Sequence, residues 1–294
     1  MSTGNQQLNK QLIKKQFIQR SNGDEHEPVS LDSKANDFEA SDSGVRLAKR
    51  VAQIVPCSRA DAERYIEGGW VQVDGVVIEL PQHRVTNEQV VVDPNADTAP
   101  APPVTLLLHK PSGYDAISGP LPAIELLEPE SQSKTDRSKV KVLQQHFSQL
   151  ISATALENVA TGLVVYTKDL RVQRRLIDDA DKIECETMVN VAGTVSADVL
   201  RQLNRLQVIN GQSIGLGKVS VSHTNAHQNS DHIESNIITG LRFASKGFNP
   251  GRIKQVCDAL QIDILSIRRI RIGQVSLKDL PEGQWRYLTV TEKF

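Results

Sequence analysis

The stretch ALENVATGLVVYTKD, residues 155–169, holds one carboxylate where it could do chemistry. Glu157 sits just ahead of GLVVYT, an apolar, β-branched run that reads as a buried strand. A carboxylate fixed at the mouth of a strand can serve as a nucleophile. It can also be a plain surface or capping residue, and no cation lies within several residues of it in sequence. His223, His227 and His232 fall in a polar stretch, residues 220–236, among turn-forming residues and without cysteine, so they read as a loop or hairpin tip rather than as metal ligands. Cys57, Cys185 and Cys257 are far apart and form no CxxC pair, which fits small, partly buried residues in a reducing compartment. No metal is expected from these residues.

The bulk composition bounds what such residues can be part of. A chain of 294 residues suggests about two domains. With 39% hydrophobic and 23% charged residues it has an ordinary globular composition, and a formal charge of −1 gives no global attraction to nucleic acid. Any RNA binding must then come from local basic patches. No apolar run approaches the roughly 20 residues that cross a bilayer, and the polar N-terminus does not read as a secretory signal. The expectation is a cytoplasmic monomer with no membrane partner.

The elements that must position these residues fall into blocks. Residues 1–43 are rich in Gln, Asn, Ser and Asp and are expected to be a disordered polar tail. Residues 44–97 read as a compact unit. VRLAKRVAQIV has helical spacing, with Leu47, Val51 and Val55 on one face, widened by Ala48, Ala52 and Ile54, and Arg46, Lys49 and Arg50 on another side. SRADAERYIEGG is a second helix, capped by Ser58 and ended by Gly68-Gly69. WVQV-DG-VVIE is a hairpin whose Asp74-Gly75 pair suits a type I′ turn. The Pro/Ala/Asp stretch before Val104 marks a linker, 98–103. Residues 104–294 alternate strands (VTLLLHK, IECETMVNV, ILSIRRIRI, WRYLTV) with helices (DLRVQRRLIDDA, SADVLRQLNRL, RIKQVCDAL), an α+β pattern with a mixed sheet.

The 44–97 unit, through VRLAKRVAQ and CSRADAERYIEGGWVQVDGVV, resembles the alpha-L RNA-binding motif found in ribosomal protein S4. The resemblance implies that Arg46, Lys49, Arg50, Ser58 and Arg59 bond phosphate oxygens from two short helices. Residues 104–294 resemble the ribosomal RNA pseudouridine synthases of the RsuA/RluF type, which carry this domain at their N-terminus. LLLHKPSGY (106–114) is similar to their first motif, and IRRIRIGQVSLKDLPEGQWRYLT (267–289) to their C-terminal segment. The resemblance runs in order over nearly all of 44–292. It implies an α+β chain, an S4-like helix-helix-hairpin domain followed by a mixed-sheet pseudouridine synthase fold. Its partners would be ribosomal RNA and, as a further candidate, transfer RNA. Lys110 of the first motif, and Arg269 and Arg271 on one face of a strand, would join the RNA-binding set.

Such enzymes flip a uridine out of the RNA stack, detach its base, rotate it and rejoin it through carbon, without cofactor or metal. In the family an Asp in a Gly-Arg-Leu-Asp segment is the nucleophile or its equivalent, a Tyr stacks on the base, and a basic side chain from a later helix pairs with the Asp. That segment aligns with Thr154, Ala155, Leu156 and Glu157; Leu156 and the downstream Gly162-Leu163 are kept, but Gly and Arg are lost and Asp has become Glu. Thr187 stands for the Tyr and Lys254, within NPGRIKQ, for the pairing cation, with Arg252 as a second candidate. Glutamate reaches about 1.5 Å further than aspartate, and a misplacement of ~1 Å can cost ~10²-fold in rate. Threonine cannot stack on a base, where an aromatic is worth ~1–3 kcal/mol. The leading expectation is an RNA-binding protein of this family with a degraded catalytic site. The alternative is an active uridine-to-pseudouridine isomerase using Glu157.

Overall fold

A computed structural model of the chain describes residues 44–99, 102–205, 208–209, 212–213, 216–227 and 236–294. The polar tail 1–43 and the middle of the His-containing stretch, with His232, lie outside the described residues. The chain forms two compact units, residues 44–103 together with 141–148, and residues 104–140 together with 149–294.

In the first unit a short strand, β1 (Val45–Arg46), leads into α1 (Leu47–Ile54) and α2 (Arg59–Glu67). Leu47, Ala48 and Val51 are buried, but Ile54 is 45% exposed, because the helix stops there and Val55 already has extended backbone. Ser58 caps α2 by accepting from the Asp61 backbone N–H at 3.1 Å. Strands β2 (Val71–Val73) and β3 (Val76–Val77) form the hairpin, and Asp74 (φ 50°) and Gly75 (φ 81°) both take the positive φ of a type I′ turn. Strand β4 (Arg84–Val85) pairs with β1, and β5 (Val90–Val92) adds to β2. The core is Leu47, Val51, Ala62, Ile66, Val71 and Val85. Residues 141–148 join this unit through Lys141, which donates to Gly69 O at 2.6 Å and stands over the Trp70 ring, and through Gln145, which donates to Glu67 O. Nothing in local periodicity marks that attachment.

The second unit is built on one mixed sheet. Its strands are β6 (Thr105–Lys110), β7 (Ile151–Ser152), β8 (Thr161–Thr167), β9 (Glu184–Ala192), β12 (Leu216–His227), β13 (Asn236–Lys246), β14 (Ile264–Ile272), β15 (Val275–Ser276) and β16 (Trp285–Tyr287). The order is β12-β13-β9-β14-β8-β6-β16, with β7 on β8 and β15 on β14; only the β14–β8 pairing is parallel among the described strands. A small hairpin, β10 (Val208–Ile209) with β11 (Gln212–Ser213), stands apart from that sheet. Helices α3 (Leu170–Gln173), α4 (Ala197–Arg205) and α5 (Arg252–Ala259) accompany the sheet. Asp169 caps α3 by accepting from Arg171 N–H, and Ser196 accepts from Val199 N–H at the start of α4. Residues 220–227, read from sequence as loop or hairpin tip, belong to strand β12. Leu107, Leu163, Val165, Cys185, Ile272 and Val275 lie in the core of this unit. Burial pushes the thiols of Cys185 to about 11 and Cys257 to about 12, so both are protonated and unreactive at neutral pH.

One irregularity decides where two arginines go. Arg269 faces Thr187 across the β14–β9 ladder, and Arg271 faces Glu186. An extra residue, Ile270, is therefore bulged between them. Thr187 and Glu186 are sequence neighbours, so they project to opposite faces, and their partners follow them. Arg269 and Arg271 do not share a face, contrary to the simple alternation expected of this strand.

Candidate active site

The site is assembled around the loop that connects β7 to β8. Its backbone is held from two sides by cations that bond carbonyls. Lys110, at the end of β6, is fully buried and donates to Pro111 O (2.8 Å), Tyr114 O (2.8 Å) and Asn158 O (3.1 Å). Asn158 returns the contact, donating to Gly113 O and Asp115 Oδ1. Arg269 is 4% exposed and donates from Nε to Leu163 O (2.7 Å), from one terminal nitrogen to Ala155 O (2.6 Å) and from the other to Thr154 Oγ1 (3.3 Å). Its guanidinium lies 5.3 Å from the centre of the Phe248 ring. Gly162 makes this close approach possible. Its φ is +119°, and a Cβ there would lie 2.3 Å from Arg269 O.

Both cations are therefore structural, not exposed RNA contacts as expected from sequence. Burial pulls the Lys110 pKa down to about 8, with Arg269 acting the same way and Asp115, Glu157 and Glu282 opposing. Burial likewise lowers the Arg269 pKa, opposed by Cys185 and Glu157. Arg271 is also engaged. It donates to Glu186 at 2.8 Å, lies 3.5 Å from Glu184, and its side chain is 25% exposed. Arg242 bonds Glu186 from the other side, and these arginines hold the Glu186 carboxyl below its usual range against the cost of burial.

Glu157 projects to the N-terminal end of α5. Its Oε1 accepts from the Gly251 backbone N–H at 2.7 Å. Gly251 is the N-cap of that helix, in left-handed conformation and with no side chain to cap it. In a capping box the third helical residue, a Glu or Gln, reaches back to the N-cap N–H. Here that residue is Lys254, which cannot accept, so Glu157 supplies the acceptor from a distant segment. The positive end of the helix dipole favours its charge. Lys254 does not pair with Glu157. It donates to Asp258 at 2.7 Å, one helical turn on, where an i,i+4 partner is within reach without any tertiary change.

Glu157, Thr187, Arg252 and Arg269 nevertheless line one cavity, together with Phe248 and Asn249. It is small, about 40 Å³, room for on the order of three waters or the edge of a planar ring. Thr187, expected from sequence to stand in for a stacking Tyr, is 6% exposed and lines the cavity. The Asn249 side chain is unusual: neither Nδ2 nor Oδ1 has a hydrogen-bond partner although both atoms are buried. A buried polar atom left so costs about 1–3 kcal/mol. Asn249 is legible in sequence only as a match to a family pattern; nothing local marks its amide as orphaned. Arg252 donates to Lys246 O at the cavity wall. No group of three or more His, Cys, Asp or Glu among the described residues could hold a metal.

The first unit carries the other expected residues. Arg46, Lys49, Arg50, Ser58 and Arg59 are all exposed. Arg46 and Arg59 line one depression with Glu63 and Glu67, and Arg59 pairs with Glu63 at 3.1 Å. The Ser58 hydroxyl is engaged in capping and donates to Asp61 Oδ2 at 2.6 Å.

Residues 45–91 match the S4 domain. An RNA pseudouridine synthase of Aquifex aeolicus, itself uncharacterised, is 26% identical over 251 residues, 84% of this chain and 94% of its own length. The dual-specificity RNA pseudouridine synthase RluF of Escherichia coli is 24% identical over 260 residues, 85% of this chain and 78% of its own. Ribosomal large subunit pseudouridine synthase B of Vibrio vulnificus is 24% identical, over 84% of this chain and 72% of its own. A crystal structure of a pseudouridylate synthase superposes with a TM-score of 0.48 at 18% identity, covering 83% of this chain and 96% of that one.

Proposed function

The chain belongs to the RsuA/RluF-type family of RNA pseudouridine synthases, with an S4 domain ahead of the synthase domain, and from that premise we propose that it is an RNA-binding member whose catalytic site is degraded. The observation that carries this reading is the Glu157 carboxylate. It occupies the loop before β8 where the family keeps its Asp, and it is committed to the Gly251 N–H at 2.7 Å as a helix cap. A carboxylate so engaged is poorly placed to attack a uridine. Thr187 offers no ring for the base to stack on. The cations that could have served Glu157 are used elsewhere: Arg269 holds backbone carbonyls and Lys254 holds Asp258.

In this reading residues 44–97 dock structured RNA through Arg46, Lys49, Arg50, Ser58 and Arg59, and residues 104–294, after the 98–103 linker, form the synthase-like module. The relatives named for the ribosomal large subunit favour ribosomal RNA as the partner, with transfer RNA second. Cytoplasmic location and a monomeric state belong to the same proposal. No described helix is long and apolar enough to cross a membrane.

A second reading, an active isomerase using Glu157, is favoured by the convergence of Glu157, Thr187, Arg252 and Arg269 on one cavity. The test is to incubate the purified protein with ribosomal RNA and with a total transfer RNA pool and to map pseudouridine at nucleotide resolution. The degraded-site reading expects no product above background. A site-specific product that disappears in Glu157→Ala establishes the isomerase instead.

A further inference from the structure

We infer that Asn249 is a base-reading residue, and that the cavity it lines takes the N3–H and O4 edge of a uracil ring edge-on. This rests on the reading of that cavity as a nucleobase site, and it is independent of whether Glu157 reacts. The observation is the pair of unpartnered atoms. Both Nδ2 and Oδ1 of Asn249 are buried without a hydrogen bond, in a cavity bordered by Glu157, Thr187 and Arg269. A carboxamide places one acceptor beside one donor in a plane. The N3–H and C4=O of uracil place one donor beside one acceptor in a plane. The two edges are complementary, with uracil N3–H donating to Oδ1 and Nδ2 donating to uracil O4.

Other side chains at the site leave this role to Asn249. The Phe248 ring carries the Arg269 guanidinium on one face at 5.3 Å, and Thr187 has no aromatic face, so the aromatic partner expected at that position is missing and the rim of the base gains weight in recognition. Arg269 spends its donors on Ala155, Leu163 and Thr154. The space, about 40 Å³, accepts the edge of a ring. The terminal torsion of an asparagine is broad, and with no bond to lose the amide can turn its edge towards an incoming base.

The test compares two short adenosine-rich RNAs, one with a single central uridine and one with 3-methyluridine at that position, for binding to the full-length protein. The methyl group removes the N3–H and leaves the ring otherwise intact. A bidentate base contact is worth about a tenfold or greater preference. The wild-type protein is expected to bind the uridine RNA about tenfold more tightly, and Asn249→Ala is expected to lose that preference while keeping the salt-sensitive affinity common to both RNAs. Equal binding of the two RNAs by the wild-type protein, as an amide satisfied only by water would give, overturns the inference whether or not the variant folds. So does a preference that survives in Asn249→Ala. Pseudouridine mapped in the uridine RNA after incubation would retire the degraded-site reading without touching this one.

Discussion

If Glu157 is a cap, replacing it costs stability; if it is a nucleophile, replacing it costs product. Glu157→Ala deletes the acceptor of the Gly251 N–H, a 2.7 Å bond from a carboxylate at the start of an eight-residue helix. Hydrogen bonds to charged groups are worth about 1.5–3 kcal/mol, and an N-cap about 0.5–2 kcal/mol. Glu157 is half-buried, so water recovers part of the loss, and about 1–2 kcal/mol is the expected effect. For a unit of this size that is a fall in Tm of about 3–6 °C. Glu157→Gln keeps an oxygen at the same reach but loses the charge, and should lose about half as much. Glu157→Asp keeps the charge but withdraws it by about 1.5 Å, beyond bonding distance of Gly251. Calorimetry or urea titration of the three variants reads the order Gln, then Asp, then Ala, in increasing loss. An Ala variant that melts with the wild type and abolishes a pseudouridine product would refute the capping argument outright.

Gly162→Ala should be among the most damaging single-methyl changes in the chain, because its Cβ would meet Arg269 O at 2.3 Å in a backbone conformation with φ +119°; a loss of more than about 3 kcal/mol in a urea titration is expected. Lys110 should make stability rise with pH. Its folded pKa is about 8 against 10.5 for the free group, so between those values the unfolded chain binds more protons and folding gains as pH rises; below about 8 the penalty is present in full. The wild type should gain up to about 3 kcal/mol relative to Lys110→Met across that window, and parallel pH profiles for the two proteins would remove the assignment. For the S4 domain, the joint change Arg46→Ala, Lys49→Ala, Arg50→Ala should lower the slope of log affinity against log salt by about 2–3; an unchanged slope would mean that these side chains do not touch phosphate.

Local chemistry makes much of this protein legible. The Asp74-Gly75 turn, the Ser58 and Asp169 caps, the apolar runs of β6 and β8 and the alternation of β9 are properties of short segments, so sequence spacing suffices to read them. The same holds for the S4 domain, whose cations lie exposed at the end of β1 and on two short helices. Glu157 stands ahead of β8 by sequence order alone, and its proposed correspondence with the family's carboxylate is an expectation from sequence.

What each charged group does was decided by tertiary structure, because charge is spent on whatever lies within about 3 Å. Lys110 and Arg269 look like RNA contacts in sequence, yet both are buried and hold the carbonyls of the β7–β8 loop. The bulge at Ile270 that separates Arg269 from Arg271 depends on β9, a strand far away in sequence. Lys254 prefers Asp258 because that partner is on its own helix, and Glu157 reaches Gly251 because that helix cannot cap itself. The amide of Asn249 becomes informative only in the folded chain, where both of its polar atoms are buried without a partner. Sequence names the groups and their family position; packing determines which of them remain free to meet a ligand.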